Sequence, residues 1–327
     1  MTKTARLVPL KPDTPLDLAE RIRKADDPHE YRRSILSEED FMNIKIPERE
    51  HILQGLIVEK TITIINGYRG GGKSWFVAAM ANEISWGGQL GPWEVKHALN
   101  CLIVDGEMPM SLLQERMEKL NKGKDVRKKP AKWYIYPEAY AYRIGLNRAN
   151  ILDALWRERI HDEVERLNIG FLVLDNLSSL APGIDENDKT PFDAVNRWLL
   201  ELRFNGVTIA MTHHTGKSGE QRGTSAHEDH VDMALVLSKP SGYVQDDGCK
   251  FTCTPTKDRD FIMKGEGVTM QLIDDPWSGR TEFTTVVTTR GKGQAVKMRP
   301  EMTRKEAREA GISDRTYYRI KKKGEYE

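Results

Sequence analysis

Eight consecutive residues, Gly67-Tyr68-Arg69-Gly70-Gly71-Gly72-Lys73-Ser74, have the types and spacing to hold a polyphosphate. Glycines let backbone N–H groups close around phosphate oxygens, because no Cβ blocks the approach. Lys73 can reach the β- and γ-phosphates, and the Ser74 hydroxyl can be offered to Mg²⁺. The pattern carries weight only between a strand and a helix. Here it follows the β-branched run Thr61–Ile65 and precedes an apolar helical stretch from Trp75 to Ile84. We count Gly67, Gly70, Gly71, Gly72, Lys73, Ser74 and Trp75 as the nucleotide contacts, and the expected ligands are ATP and Mg²⁺.

A phosphate-binding loop needs three further groups to hydrolyse its ligand quickly: an acid that organises the metal, a base for the attacking water, and a cation for the transition state. Asp175 ends the apolar run Gly170-Phe171-Leu172-Val173-Leu174, which puts a carboxylate at a strand's carboxyl end, where ligands of open parallel sheets sit. Glu107 follows Leu102-Ile103-Val104-Asp105 and Gly106; it suits the base, although Asp105 lies two residues earlier. His213 or His214, closing the strand Val207–Thr212, is the candidate γ-phosphate sensor, the alternative being a core histidine or a helix cap. Lys257 and Arg259, two residues apart after an edge strand, can supply cations. They equally suit a solvated basic edge that blocks aggregation.

The elements that must position these groups alternate. Strands are expected at Thr61–Asn66, His97–Asp105, Trp133–Tyr136, Phe171–Leu174 and Val207–Thr212. Helices are expected at Lys73–Ser85, Ser111–Leu120, Asn150–Leu167 and Pro191–Phe204. This alternation predicts an α/β fold with a mostly parallel sheet covered on both faces. Val231–Leu237, Lys250–Thr256, Gly267–Leu272 and Thr281–Thr288 follow without helices and read as an antiparallel extension of one edge. The reading gives three parts: an arm over 1–48 with one short helix around Leu16–Ile22, a core over 49–289, and a basic tail over 290–327.

Composition excludes several classes. Of 327 residues, 39% are hydrophobic, enough for a packed core, and Lys+Arg of 50 against Asp+Glu of 49 leaves no global attraction to nucleic acid. Any such contact must be local. Three cysteines, an odd and sparse count, argue for a reducing compartment. No run has signal-peptide or membrane-spanning character, so a cytoplasmic location without membrane contact is expected. Cys249 and Cys253 read as sheet packing, and Trp133, Tyr134, Tyr136, Tyr140 and Tyr142 as cover for a sheet edge.

The ordered set Gly67–Ser74, Glu107, Asp175, His213 and Lys257/Arg259 resembles the RecA-like P-loop ATPases, and within them the hexameric helicases of the RepA and DnaB kinds. The resemblance covers about residues 50–260. Thr212-His213-His214-Thr215-Gly216-Lys217 and Gln221-Arg222-Gly223-Thr224-Ser225 look most like the RepA branch, which has His where the DnaB branch has Gln. The family binds its nucleotide between subunits, with an arginine supplied by the neighbour. The resemblance therefore implies a homo-oligomer, a hexameric ring, with Arg259 or Arg222 as the inserted arginine. It also implies that the loops Asn176–Lys189 and His214–Asp229 face a channel for single-stranded DNA. Lys217 and Arg222 suit phosphate contacts there, whereas Asp185, Glu186 and Asp188 make the first loop acidic.

Thr303–Lys323 reads as two short helices around Gly311, helix-turn-helix-like, with Arg315, Arg319 and Lys322 on the second. It suits duplex DNA contact, or docking on the core. Three functions stay open at this level: a RepA-type helicase of a plasmid, phage or mobile element, working with a replication initiator or primase; a recombination mediator or loader; and a nucleotide-switched DNA-binding regulator.

Overall fold

The computed structural model describes residues 27–182, 190–214, 230–263, 265, 267–275 and 279–286. The expected helix at Leu16–Ile22, the residues Lys217 and Arg222, and the tail residues Arg315, Arg319 and Lys322 lie outside these. The chain divides into two units, residues 1–285 and 286–327, and every element below belongs to the first.

The strands are β1 (His51–Leu53), β2 (Ile57–Val58), β3 (Ile62–Gly67), β4 (Gln89–Leu90), β5 (Trp93–Glu94), β6 (Asn100–Asp105), β7 (Trp133–Pro137), β8 (Ile169–Asp175), β9 (Thr208–His214), β10 (Met233–Ser238), β11 (Lys250–Asp258), β12 (Val268–Asp274) and β13 (Thr281–Thr285). The helices are α1 (Pro28–Ser34), α2 (Glu38–Met42), α3 (Lys73–Trp86), α4 (Met110–Asn121), α5 (Glu138–Arg143), α6 (Ala154–Arg166), α7 (Leu177–Leu180) and α8 (Thr190–Phe204). Nine strands form one sheet in the order β13-β12-β11-β10-β3-β9-β8-β6-β7. From β10 to β7 every pairing is parallel, and from β10 to β13 every pairing is antiparallel. The mostly parallel sheet with an antiparallel edge is therefore present.

One expectation needs correction. The sequence pattern assigns Val231–Leu237 to the antiparallel extension, but β10 runs parallel to β3, with Met233 opposite Thr63 and Leu237 opposite Gly67. The connection from His214 to Met233 is long enough for the return crossover that a parallel neighbour requires. The antiparallel part begins at β11. Helix α6 starts at Ala154 rather than Asn150, because the Asp153 side chain accepts from Leu155 N–H and caps it there.

Strand periodicity splits the core into two layers. Ile65, Cys101, Ile103, Phe171, Val173 and Ala210 point to the face covered by α3, which contributes Phe76, Val77 and Met80. Ile62, Ile64, Leu102, Val104, Leu172, Leu174, Ile209 and Met211 point to the other face, covered by residues of α6 and α8. Helix α3 is buried along nearly its whole length, which fixes the end of the phosphate loop against the sheet.

Candidate active site

The same period of two decides which side chains meet at the carboxyl ends of the parallel strands. Asp105 and Asp175 continue the α3-facing series of Ile103 and Val173, and they sit opposite each other in register. Thr212 and His214 continue the series of Ala210, so they face the same way. His213 follows Ile209 and Met211 to the other side, opposite Asn66. Of the two candidate histidines, His214 thus faces the side of Asp105 and Asp175, and His213 lies buried in the strand.

The loop between β3 and α3 is built on glycine. Gly72 has φ 90°, and a Cβ there would lie 2.5 Å from Cys249 Sγ and 3.1 Å from Phe251. No other residue fits that conformation and that space without strain. Lys73 begins α3 and is only 4% exposed. Its ammonium donates to the carbonyls of Gly67 (2.7 Å) and Tyr68 (3.0 Å) and to Nδ1 of His214 (2.9 Å). Burial lowers its pKa to about 8, against the pull of Asp175 and Glu107. His214 is held below its ordinary value, first by burial and then by the Lys73 charge. A neutral ring that accepts at Nδ1 carries its proton on Nε2, which stands 3.8 Å from Glu107 Oε2.

The acids are held in distinct ways. Thr212 Oγ1 donates to Asp175, and Asn176 Nδ2 donates to Glu107. Asp105 accepts the backbone N–H groups of Glu107 and Met108 at 3.1 and 2.7 Å. Burial raises the Asp105 pKa to about 6, more than those bonds lower it. Asp105 therefore folds the turn that presents Glu107, and Glu107, the more exposed of the two, faces outward.

Sequence reasoning missed Arg116. It lies on α4, the helix after the Glu107 turn, and its guanidinium covers the Trp75 ring at 4.7 Å. Trp75 is thus engaged by Arg116. Ser74, Asp175 and Arg116 line one small cavity together with Met108 and Leu113. The Arg116 Nη1 is buried there with no hydrogen-bond partner among the described residues. Its pKa is lowered by burial, with Asp175 and Asp105 opposing. A buried donor without a partner, beside a hydroxyl and a carboxylate, leaves one polar contact for a ligand at this site to supply. The signal in sequence was helical spacing: Arg116 lies on the face of α4 that carries Leu113 and Leu120.

Lys257 and Arg259 do not join this cluster. Lys257 pairs with Ala234, itself opposite Ile64, so it sits midway along the sheet. Arg259 is 3.5 Å from Asp232, whose carboxylate also accepts Ile62 N–H. Ile62 is the first residue of β3 and Gly67 the last, so Arg259 lies about 17 Å from its own phosphate loop at strand rise. All three cysteines are free, and no cluster of metal-binding residues of the His/Cys/Asp/Glu kind occurs among the described residues. None of the described helices is long and apolar enough to cross a membrane.

Among known proteins, a family model described as AAA domain matches residues 27–220. No curated protein matches the sequence. Of solved structures, the chain is similar to a KaiC-like protein from the hyperthermophilic archaeon Pyrococcus horikoshii OT3, with 16% identity, 73% of this chain and 99% of that chain covered, and a TM-score of 0.49. The family match spans more than half of the chain and includes the phosphate loop, Glu107, Asp175 and His214: the chain belongs to the AAA domain family and is a P-loop ATPase.

Proposed function

We propose that the chain is an ATP-hydrolysing motor on single-stranded DNA, a helicase of the RepA type that works as a ring of identical subunits. The observation that carries the ring is the position of Lys257 and Arg259. Both lie away from their own phosphate loop, Arg259 by about 17 Å at strand rise, so a role for them in hydrolysis calls for a second copy. An arginine supplied across an interface is worth orders of magnitude in rate. The ordered motif set and the two histidines that end β9 support the RepA branch.

Within one subunit, Lys73 and the loop amides would bind the β- and γ-phosphates, and Arg116 would donate to a phosphate oxygen. Ser74 and Asp175 would hold Mg²⁺, which neutralises phosphate charge when bound. Glu107, oriented by Asn176, takes a proton from water as the water oxygen bonds to the γ-phosphorus and the bond to the β-phosphate oxygen breaks. His214, linked to both Lys73 and Glu107, is placed to report γ-phosphate loss toward the loop that follows β9.

The test mixes two inactive variants. Lys73→Ala and Arg259→Ala chains should each lose ATP hydrolysis and forked-duplex unwinding, and mixed rings should regain part of both. Mixtures that stay inactive would overturn Arg259 as the shared cation. An active wild-type ATPase that never unwinds a fork would favour a loader or regulator.

A further inference from the structure

The carboxylates reach β3 from one side only. Asp175 and Glu107 lie across β9, on β8 and after β6, so a triphosphate in the loop points its γ end toward β9. Its α-phosphate, sugar and base must leave on the other side, over β10. Three side chains stand there. Tyr68 is the first residue after β3, and Lys239 is the first after β10. The Lys239 ammonium lies 5.2 Å from the Tyr68 ring centroid and 4.6 Å from that of Tyr243.

This arrangement is fixed by its loop. Tyr243 N–H donates to Pro240 O at 3.1 Å, and its hydroxyl donates to Gly248 O at 3.1 Å. Asp247 accepts Val244 N–H and pairs with Lys250 at 3.2 Å. The loop's end closes on the phosphate loop, since Cys249 fills the space that a Cβ on Gly72 would need. Both tyrosines remain partly exposed and Lys239 is exposed, so a flat ligand can enter. An ammonium resting against aromatic rings marks faces that also accept a planar π-system.

We propose that Tyr243, Tyr68 and Lys239 form the nucleobase subsite of the phosphate loop, with a purine stacked on tyrosine and the lysine at its edge. The proposal rests on the nucleotide reading above. A purine is favoured because its fused rings cover more of a tyrosine face than a pyrimidine does.

The test is calorimetric binding of ATP, CTP and inorganic tripolyphosphate, each with Mg²⁺, to the full chain carrying Glu107→Gln so that hydrolysis does not interfere. Tyr243→Ala should weaken ATP about tenfold, within the range that base–aromatic stacking supplies. Tripolyphosphate should be unaffected. Tyr243→Phe should bind ATP nearly as the parent does. Lys239→Ala, at an exposed position that tolerates replacement, should weaken ATP severalfold and narrow its margin over CTP. An unchanged ratio of ATP to tripolyphosphate affinity in both alanine variants would overturn the subsite while leaving the phosphate loop intact. A parent protein that binds neither ATP nor tripolyphosphate would overturn the nucleotide reading, and the subsite with it.

Discussion

Lys73 gives the sharpest quantitative prediction. Burial carries its pKa from 10.5 to about 8, with Arg69 adding to the fall and Asp175 and Glu107 opposing it. At 1.4 kcal/mol per pH unit, that difference is equivalent to about 3 kcal/mol against the ammonium in the free protein. A bound triphosphate brings negative charge that restores it, so the complex keeps the proton. Above pH 8 the free protein has given the proton up and must regain it on binding. Affinity for a non-hydrolysable ATP analogue should therefore hold between pH 6.5 and 7.5 and fall about tenfold between pH 7 and 9, about 1.4 kcal/mol. The other perturbed groups nearby stay out of this window: His214 is lowered from 6.5, Tyr68 raised from 10.0 and Cys249 raised to about 11. Titration calorimetry in buffers of different ionisation enthalpy should show proton uptake near one at pH 9. Lys73→Arg, which does not lose its charge, should bind with no such slope. The sign for stability is the opposite: the unfolded chain keeps the proton to about 10.5 while the folded chain releases it at about 8, so this group makes stability rise with pH between those values. A wild-type affinity that stays flat to pH 9, or an equal slope in Lys73→Arg, would refute the reasoning.

Other substitutions separate the roles. Glu107→Gln should lower the rate of ATP hydrolysis about 10²- to 10⁴-fold in steady-state assays and leave ATP affinity near wild type. Arg116→Ala should weaken ATP about tenfold or more in equilibrium binding, the worth of one charge-assisted hydrogen bond. Gly72→Ala should destabilise the fold by about 2–4 kcal/mol in denaturant unfolding, from positive φ and overpacking together. Cys249→Ala in the same chain should return part of that loss, because it removes the atom the new Cβ would strike.

Much of this was legible in the sequence because it rests on local pattern. The phosphate loop, the strand ending at Asp175 and the turn presenting Glu107 are each carried by a few consecutive residues. The parallel sheet followed from strand–helix alternation. The pairing of β10 was not legible, since whether a strand pairs parallel or antiparallel is decided by its crossover and not by its own residues. The choice between His213 and His214 was legible in principle: Ala210 and Thr212 share parity with His214, and Ile209 and Met211 with His213. Arg116 and Tyr243 escaped because each lies in a separate element from the motif it serves. Only the folded sheet brings them to Trp75 and to Tyr68.

The claim that most needs testing is that hydrolysis is coupled to a DNA strand. Steady-state ATP hydrolysis should be measured with and without single-stranded DNA, beside Lys73→Ala and Glu107→Gln. The motor reading predicts strong stimulation by DNA that both substitutions abolish. Hydrolysis indifferent to DNA would contradict it.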